Sequence, residues 1–306
     1  MSVRYDKLGL VFRPDRSKWW MRSHAMNPTP RLLKEGPLVK VYFAGRDDNN
    51  RSQTGWVILD MSDDFKVIDM AAEPVISLGR LGTFDDNGIA PISLVDFESK
   101  TYLYYVGFKP GGTTRMDLYG GLAISDRNED NFQRFSEAPL LGRTPVNPLI
   151  NTAPFVLRDN SVWRMYYVAG LQWFHKDLPS YNIQYAESRD GITWDRTGQV
   201  AIDFKDGNEC ALAKPWVVKH DGGFEMWYSY KGKDPKTAYY QIGYATSTDG
   251  INWTRKDEEV GISLSKSGWD SDMMEYATVV QYNGKNVMFY NGNGYGSEGF
   301  GVAVER

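Results

Sequence analysis

The chain contains a single cysteine, Cys210, only three histidines and no long apolar run. One cysteine cannot close an internal disulfide, and without companions it cannot build a structural zinc site. No apolar segment approaches the ~20 residues that a membrane-spanning helix needs. The opening Met-Ser-Val-Arg-Tyr-Asp-Lys lacks the basic start and apolar core of a signal peptide, so a cytoplasmic protein is expected. Positive charge is not in excess either. Against 35 Lys and Arg stand 39 Asp and Glu, a formal net charge of −4, which argues against nucleic acid or an anionic membrane as partner. Charged residues make up 24% and hydrophobic residues 42% of the 306, a balance that excludes disorder, collagen and coiled coil.

Aromatics, glycine and proline are abundant instead, with 19 Tyr, 14 Phe, 10 Trp, 30 Gly and 14 Pro. Aromatic side chains suit pleated surfaces, and Gly and Pro suit turns, so a strand-rich protein is expected. The aromatics keep time. Val41-Tyr42-Phe43-Ala44-Gly45, Leu103-Tyr104-Tyr105-Val106-Gly107, Met165-Tyr166-Tyr167-Val168-Ala169, Met226-Trp227-Tyr228-Ser229 and Met288-Phe289-Tyr290-Asn291 place their second aromatics at 43, 105, 167, 228 and 290. Each copy is preceded by a short apolar segment, marked by Pro30, Pro91, Pro154 and Pro215 and by Thr278 in the fifth. Each is followed by a small-residue strand, as in Gly121-Leu122-Ala123 and Ile242-Gly243-Tyr244-Ala245. The turns Ser188-Arg189-Asp190-Gly191-Ile192-Thr193-Trp194 and Ser247-Thr248-Asp249-Gly250-Ile251-Asn252-Trp253 then lead to a fourth strand, Asp-Gly being a hairpin signal.

A repeat of about 62 residues, each of four antiparallel strands, predicts an all-β, five-bladed β-propeller forming one domain over residues 1–306. The fifth copy stops after its third strand, Gly301-Val302-Ala303-Val304. The N-terminal segment, from Val3-Arg4-Tyr5 to Leu10-Val11-Phe12, is expected to complete that last blade and leave no free edge.

In such a ring the starts of the inner strands and the loops joining second to third strands meet at one mouth of the central channel. The starts supply Asn27, Asp85, Asp86, Asn151, Glu209 and Glu275; the loops supply Arg46, Lys109, Arg115, His175, Lys176 and Lys231. Trp173, Phe174, Tyr181, Tyr239, Tyr276 and Tyr295 add flat apolar surfaces nearby. Sugars alternate polar rims with C–H faces, and a pocket of carboxylates and aromatics suits them.

The repeats and the Ser-x-Asp-Gly-x-x-Trp turns resemble the five-bladed propellers of glycoside hydrolase families 43, 32, 68 and 130 over the whole chain. In family 32 the first blade carries W-M-N-D-P-N-G with a nucleophilic Asp; here His24-Ala25-Met26-Asn27-Pro28-Thr29 lacks that Asp. Family 43 begins with a D-P pair holding its base and has an Asp in the third blade, where this chain has Asn27-Pro28 and Asn151. Asparagine cannot take a proton from water, so neither role carries over. The first blade of family 130 often begins with Asn-Pro and ends its next strand in an Arg that contacts sugar or phosphate, as Asn27-Pro28 and Arg46 do in position. The second-blade D-P-R element of that family is missing, although Asp85-Asp86 keeps acids near its place. Glu209-Cys210 is similar to the E-C pair that holds the family 32 acid/base.

The resemblance implies a carbohydrate-active enzyme that cleaves or transfers a glycosidic bond, by hydrolysis or phosphorolysis. Glu209 is expected as proton donor and Asp86 as base, about 6.5–9.5 Å apart if the mechanism inverts. Asn27, Arg46, Asp85, Asn151, Trp173, His175 and Glu275 are expected to hold the saccharide, which the basic loops would suit if it were anionic or met phosphate. No cofactor is expected. A central Ca²⁺ occurs in some of these propellers, but no ligand spacing for it is recognisable here. The alternative is a propeller without this chemistry that binds a glycan or sugar nucleotide in polysaccharide assembly.

Overall fold

The computed structural model describes residues 4–34 and 36–306, so Val3 of the expected closing strand lies outside the described residues. The fold is almost entirely β. Strand β1 (Tyr5–Phe12) comes first. Next, β2 (Ser23–Leu32), β3 (Leu38–Arg46), β4 (Ser52–Asp60) and β5 (Lys66–Met70) pair antiparallel in chain order. The same order recurs in β6 (Ile89–Phe97), β7 (Lys100–Pro110), β8 (Met116–Asp126) and β9 (Gln133–Arg134). It recurs again in β10 (Asn151–Asp159), β11 (Val162–His175), β12 (Leu178–Ser188) and β13 (Val200–Ile202). The next run is β14 (Glu209–His220), β15 (Gly223–Gly232), β16 (Gln241–Ser247) and β17 (Thr254–Arg255). Finally β18 (Glu275–Tyr282), β19 (Lys285–Asn291) and β20 (Phe300–Glu305) pair in turn, and β1 lies antiparallel beside β20, from Tyr5↔Glu305 to Phe12↔Phe300.

Neighbouring runs meet where the first strand of one touches the third strand of the run before. Asn151↔Tyr119 joins β10 to β8 in parallel, and Tyr181↔Ala211 joins β14 to β12. Among the described residues no helix is long and apolar enough to cross a membrane.

The periodic aromatics explain the small-residue strands. Phe43, Tyr105, Tyr167, Tyr228 and Tyr290 are all fully buried. Glycines on the third strands make room for them: a Cβ on Gly121 would sit 2.3 Å from the Tyr105 ring, and one on Gly243 would sit 2.4 Å from that of Tyr228. A side chain at either place would collide with a ring that has nowhere to go.

The first strand of each run breaks register at a matching place, between Met26 and Thr29, Pro91 and Ser93, Thr152 and Phe155, Ala213 and Trp216, and Glu275 and Thr278. At four of these bulges a non-glycine residue takes positive φ: Asn27 (53°), Ala153 (49°), Lys214 (44°) and Tyr276 (57°). Three of them precede proline, whose ring already restricts the residue before it. Such conformations cost of order 1–3 kcal/mol each, and the surrounding sheet holds them. The structure also corrects the proline register. Pro30 pairs with Val41 beyond the bulge, and it is Pro28 that occupies the place of Pro154 and Pro215. Bulges re-aim side chains, and these turn toward one shared cavity.

Candidate functional site

Acids at the starts of the runs belong mostly to buried staples. The Tyr105 hydroxyl donates to Asp85 Oδ2 (2.9 Å), which also receives Arg134 Nε from β9 (2.7 Å). Tyr290 and Lys7 converge in the same way on Asp270 Oδ2, at 3.0 and 2.6 Å. Arg255 of β17 holds Glu209 with both terminal nitrogens, at 2.6 and 2.9 Å, and also binds Asp257, to which Tyr228 donates. In the third run the partners are amides: Tyr167 donates to Asn147 Oδ1 (2.9 Å), and Arg196 donates to Asn151 Oδ1 (3.2 Å). The first run has Phe43 at the periodic position, and Phe43 packs on Trp20 instead, with ring centroids 5.6 Å apart. Each periodic tyrosine thus locates a polar group, and where the hydroxyl is missing an indole fills the space.

Inside these staples lies a cavity of about 230 Å³ to which every run contributes at its bulge: Met26 and Asn27, Ile92, Thr152 and Ala153, Ala213 and Lys214, and Tyr276. Arg46, Arg115 and Lys231 add positive charge, Tyr181, Tyr240 and Tyr295 add phenol rings, and Asp177 is the one carboxylate on the wall. Asp177 is exposed and paired with Lys176 at 2.7 Å. Arg46 donates to Asn50 Oδ1 (3.0 Å) and lies against Met26 Sδ, with no carboxylate in ion-pair range among the described residues. The Lys231 ammonium sits 5.0 Å above the Tyr240 ring.

Glu275 lies behind this wall. It is fully buried, and neither carboxylate oxygen has a hydrogen-bond partner among the described residues. Burial drives its pKa well above the usual carboxylate range, and the charges of Lys231 and Arg46 oppose but do not cancel that shift. Burial thus favours its protonated form. Burial also keeps Tyr240 and Tyr276 as neutral phenols, able to donate to a ligand. His24, held in positive φ and bonded to Ser23 Oγ, is pushed down to about 4 by burial and then by Arg46. Its imidazole is neutral at physiological pH.

Of the residues expected from sequence, Asn27 and Arg46 line the cavity and Glu275 lies directly behind its wall. Glu209 does not line it: both of its oxygens are taken by Arg255, and Oε2 also accepts the Lys205 amide. The expected proton donor is thus paired with a cation. Asp86 accepts the Gly82 amide at 2.7 Å and shapes its own loop, away from the cavity wall. Asp85 and Asn151 are fully buried staple residues. Trp173 and His175 sit on the projecting β11–β12 hairpin, which reaches the cavity through Asp177, Pro179 and Tyr181. Sequence reasoning missed Lys214, although it occupies the slot before proline that Asn27 fills in the first run. Among the described residues no group of three or more His, Cys, Asp or Glu side chains is gathered to hold a metal ion.

The fold is that of the β-propeller glycosidases. Solved structures that match it include a glycoside hydrolase with TM-score 0.75 and 18% identity, the match covering 99% of this chain and 92% of that one. A thermostable family-43 glycoside hydrolase also matches (TM-score 0.68, 17% identity, 92% and 89%). No family model matches the sequence. The chain is 38% identical over 303 residues to uncharacterized protein Rv1502 of Mycobacterium tuberculosis, covering 99% of each, and belongs to its family. It is 29% identical over 164 residues, 52% of each chain, to a 1,2-beta-oligomannan phosphorylase of Thermoanaerobacter sp..

Proposed function

We propose that the protein is a single-domain, five-bladed propeller of the cytosol that transfers a glycosyl unit from a saccharide to inorganic phosphate. The observation that carries this is the setting of Glu275, a buried carboxyl with no hydrogen-bond partner among the described residues, whose pKa burial raises and the charges of Lys231 and Arg46 lower. Hydrolysis by two carboxylates needs a base as well as an acid, and among the described residues the one carboxylate on the wall is Asp177, at the rim. Phosphate brings its own nucleophilic oxygen, and Arg46, Arg115 and Lys231 suit its charge. One phosphate oxygen attacks the anomeric carbon as the bond to the glycosidic oxygen breaks. Glu275, behind the wall, passes its proton to the leaving oxygen through the wall phenol of Tyr276 and recovers one from the phosphate by the same route, leaving a sugar 1-phosphate and a shortened saccharide.

The likeness to a 1,2-beta-oligomannan phosphorylase makes short mannosides the first substrates to try. A glycoside panel incubated with and without phosphate, with products read by mass spectrometry, tests the reading. A sugar phosphate formed only with phosphate is expected; free reducing sugar under both conditions would make the protein a hydrolase. The scarcity of carboxylates on the wall also favours a second reading, a propeller that binds a glycan without turnover. That reading predicts retained ligands and no product from any substrate.

A further inference from the structure

Lys214 is unused by the reaction above. Its side chain lines the cavity yet is only 1% exposed. The ammonium group has one acceptor, the Pro28 carbonyl at 3.4 Å, and lies 5.5 Å from the Trp216 ring. No carboxylate comes within ion-pair range of it among the described residues. The apolar members of the cavity wall include Ile92, Ile150, Val168 and Ala213. A lysine is not placed there by accident of packing: it occupies a strained pre-proline bulge with φ of 44°, one of the bulges that turn side chains into the cavity. A buried amine with one long hydrogen bond has donor capacity left unused.

Inferring from this and from the reading of the cavity as a saccharide site, we propose that Lys214 recognises an anionic group carried on the sugar ring itself. A hexuronate carboxylate and the phosphate ester of a hexose phosphate share this chemistry. Such a ligand brings the missing counter-charge and acceptors together, whereas a neutral sugar leaves the amine desolvated.

The site is separate in charge from the phosphate-binding cluster. Arg46, Arg115, Lys231 and Glu275 act on one another electrostatically. Lys214 is shifted by burial alone, well below the usual lysine range. The other ionisable groups on or behind the cavity wall, Arg46 on β3, Arg115 between β7 and β8, Asp177 between β11 and β12, Tyr181 on β12, Lys231 on β15, Glu275 and Tyr276 on β18, and Tyr240 and Tyr295, supply no resolved part of that shift. An arriving anion opposes that shift by favouring the charged form of the amine.

Calorimetric titration with D-mannose, D-glucose, their uronates and their 6-phosphates tests the inference, with inorganic phosphate as a separate arm. One anionic series is expected to bind roughly tenfold to hundredfold more tightly than its neutral parents. The series that does so identifies carboxylate or phosphate ester as the source. In Lys214→Met the preference is lost while inorganic phosphate still binds, and in Arg46→Ala inorganic phosphate is lost while the preference stays. Because the anion raises the pKa of the amine, its binding enthalpy should depend on the ionisation enthalpy of the buffer where the amine titrates, and this dependence should vanish in Lys214→Met. Removing an unpaired buried amine should leave the variant folded and at least as heat-stable, which a melting curve checks. Equal binding of neutral and anionic sugars, or a preference that survives Lys214→Met, would overturn the inference and leave phosphorolysis standing. Failure of every sugar to bind would overturn it together with the saccharide reading.

Discussion

Arg255 grips Glu209 with two hydrogen bonds, at 2.6 and 2.9 Å, and both side chains are at least 85% buried. This fork converts the acid that the sequence marks most strongly into a clamp between the last strand of its run and the start of the first. Loss of one partner strands the other charge. Glu209→Ala is expected to cost about 3–5 kcal/mol, and Glu209→Leu combined with Arg255→Met much less. Urea unfolding of the single and double variants measures this, and a Glu209→Gln variant that folds should keep its turnover. Loss of activity without loss of stability would return Glu209 to the reaction.

Glu275 carries the opposite expectation. Glu275→Gln keeps the shape and removes the proton, so turnover should fall roughly 10²–10⁴-fold while the fold is retained. Its folded pKa lies above the ordinary 4.5, so the unfolded chain ionises first as pH rises. Wild-type stability is therefore full below about pH 4.5 and declines above it, up to the raised folded pKa. Over that window the glutamine variant should become progressively the more stable of the two, as melting temperatures from pH 4 to 8 would show. Parallel curves would mean that the carboxyl ionises in the folded protein as it does in the unfolded one.

Arg46 and Lys231 face the cavity without ion-pair partners, which leaves their charges available to phosphate. Arg46→Ala and Lys231→Ala should each weaken phosphate binding by roughly tenfold to hundredfold, with a smaller effect on the affinity for the saccharide. Initial rates at varied phosphate and fixed saccharide separate the two. Lys176→Ala, at the exposed rim, should change neither.

His24 should not report in the pH profile near neutrality. Its imidazole NMR shifts should titrate near pH 4, well below the usual 6.5. Because the folded value is depressed, the stability it contributes is present above about pH 6.5 and is lost as pH falls toward 4. A midpoint near 6.5 would show that the ring is hydrated and uncoupled from Arg46.

The strand order was legible because one residue type recurs at one structural place. Phe43, Tyr105, Tyr167, Tyr228 and Tyr290 all point into the sheet stack, and the glycines opposite them are forced by ring size. Asn27 and Arg46 were legible as cavity residues from their strand positions. The arginine partners of Glu209, Asp85 and Asn151 were not legible, because a carboxylate or amide at a strand start looks the same whether it faces a ligand or a guanidinium. Only the fourth strand or the segment leading to it decides, by bringing Arg255, Arg134 or Arg196 across a gap of more than forty residues. The signal existed in those arginines, which recur at 134, 196 and 255 with the period of the repeat. Lys214 was hidden by its apolar neighbours, since a strand reading alone gives no reason for the bulge that turns it inward.

The reading of the cavity as a phosphorolytic site is tested most directly by following inorganic phosphate itself. Phosphorus NMR of the protein with a short mannoside and phosphate should show the phosphate resonance giving way to that of a sugar 1-phosphate. In Glu275→Gln the phosphate resonance should stay unchanged. Release of free sugar from the same mixture, with the phosphate signal undiminished, would contradict the account.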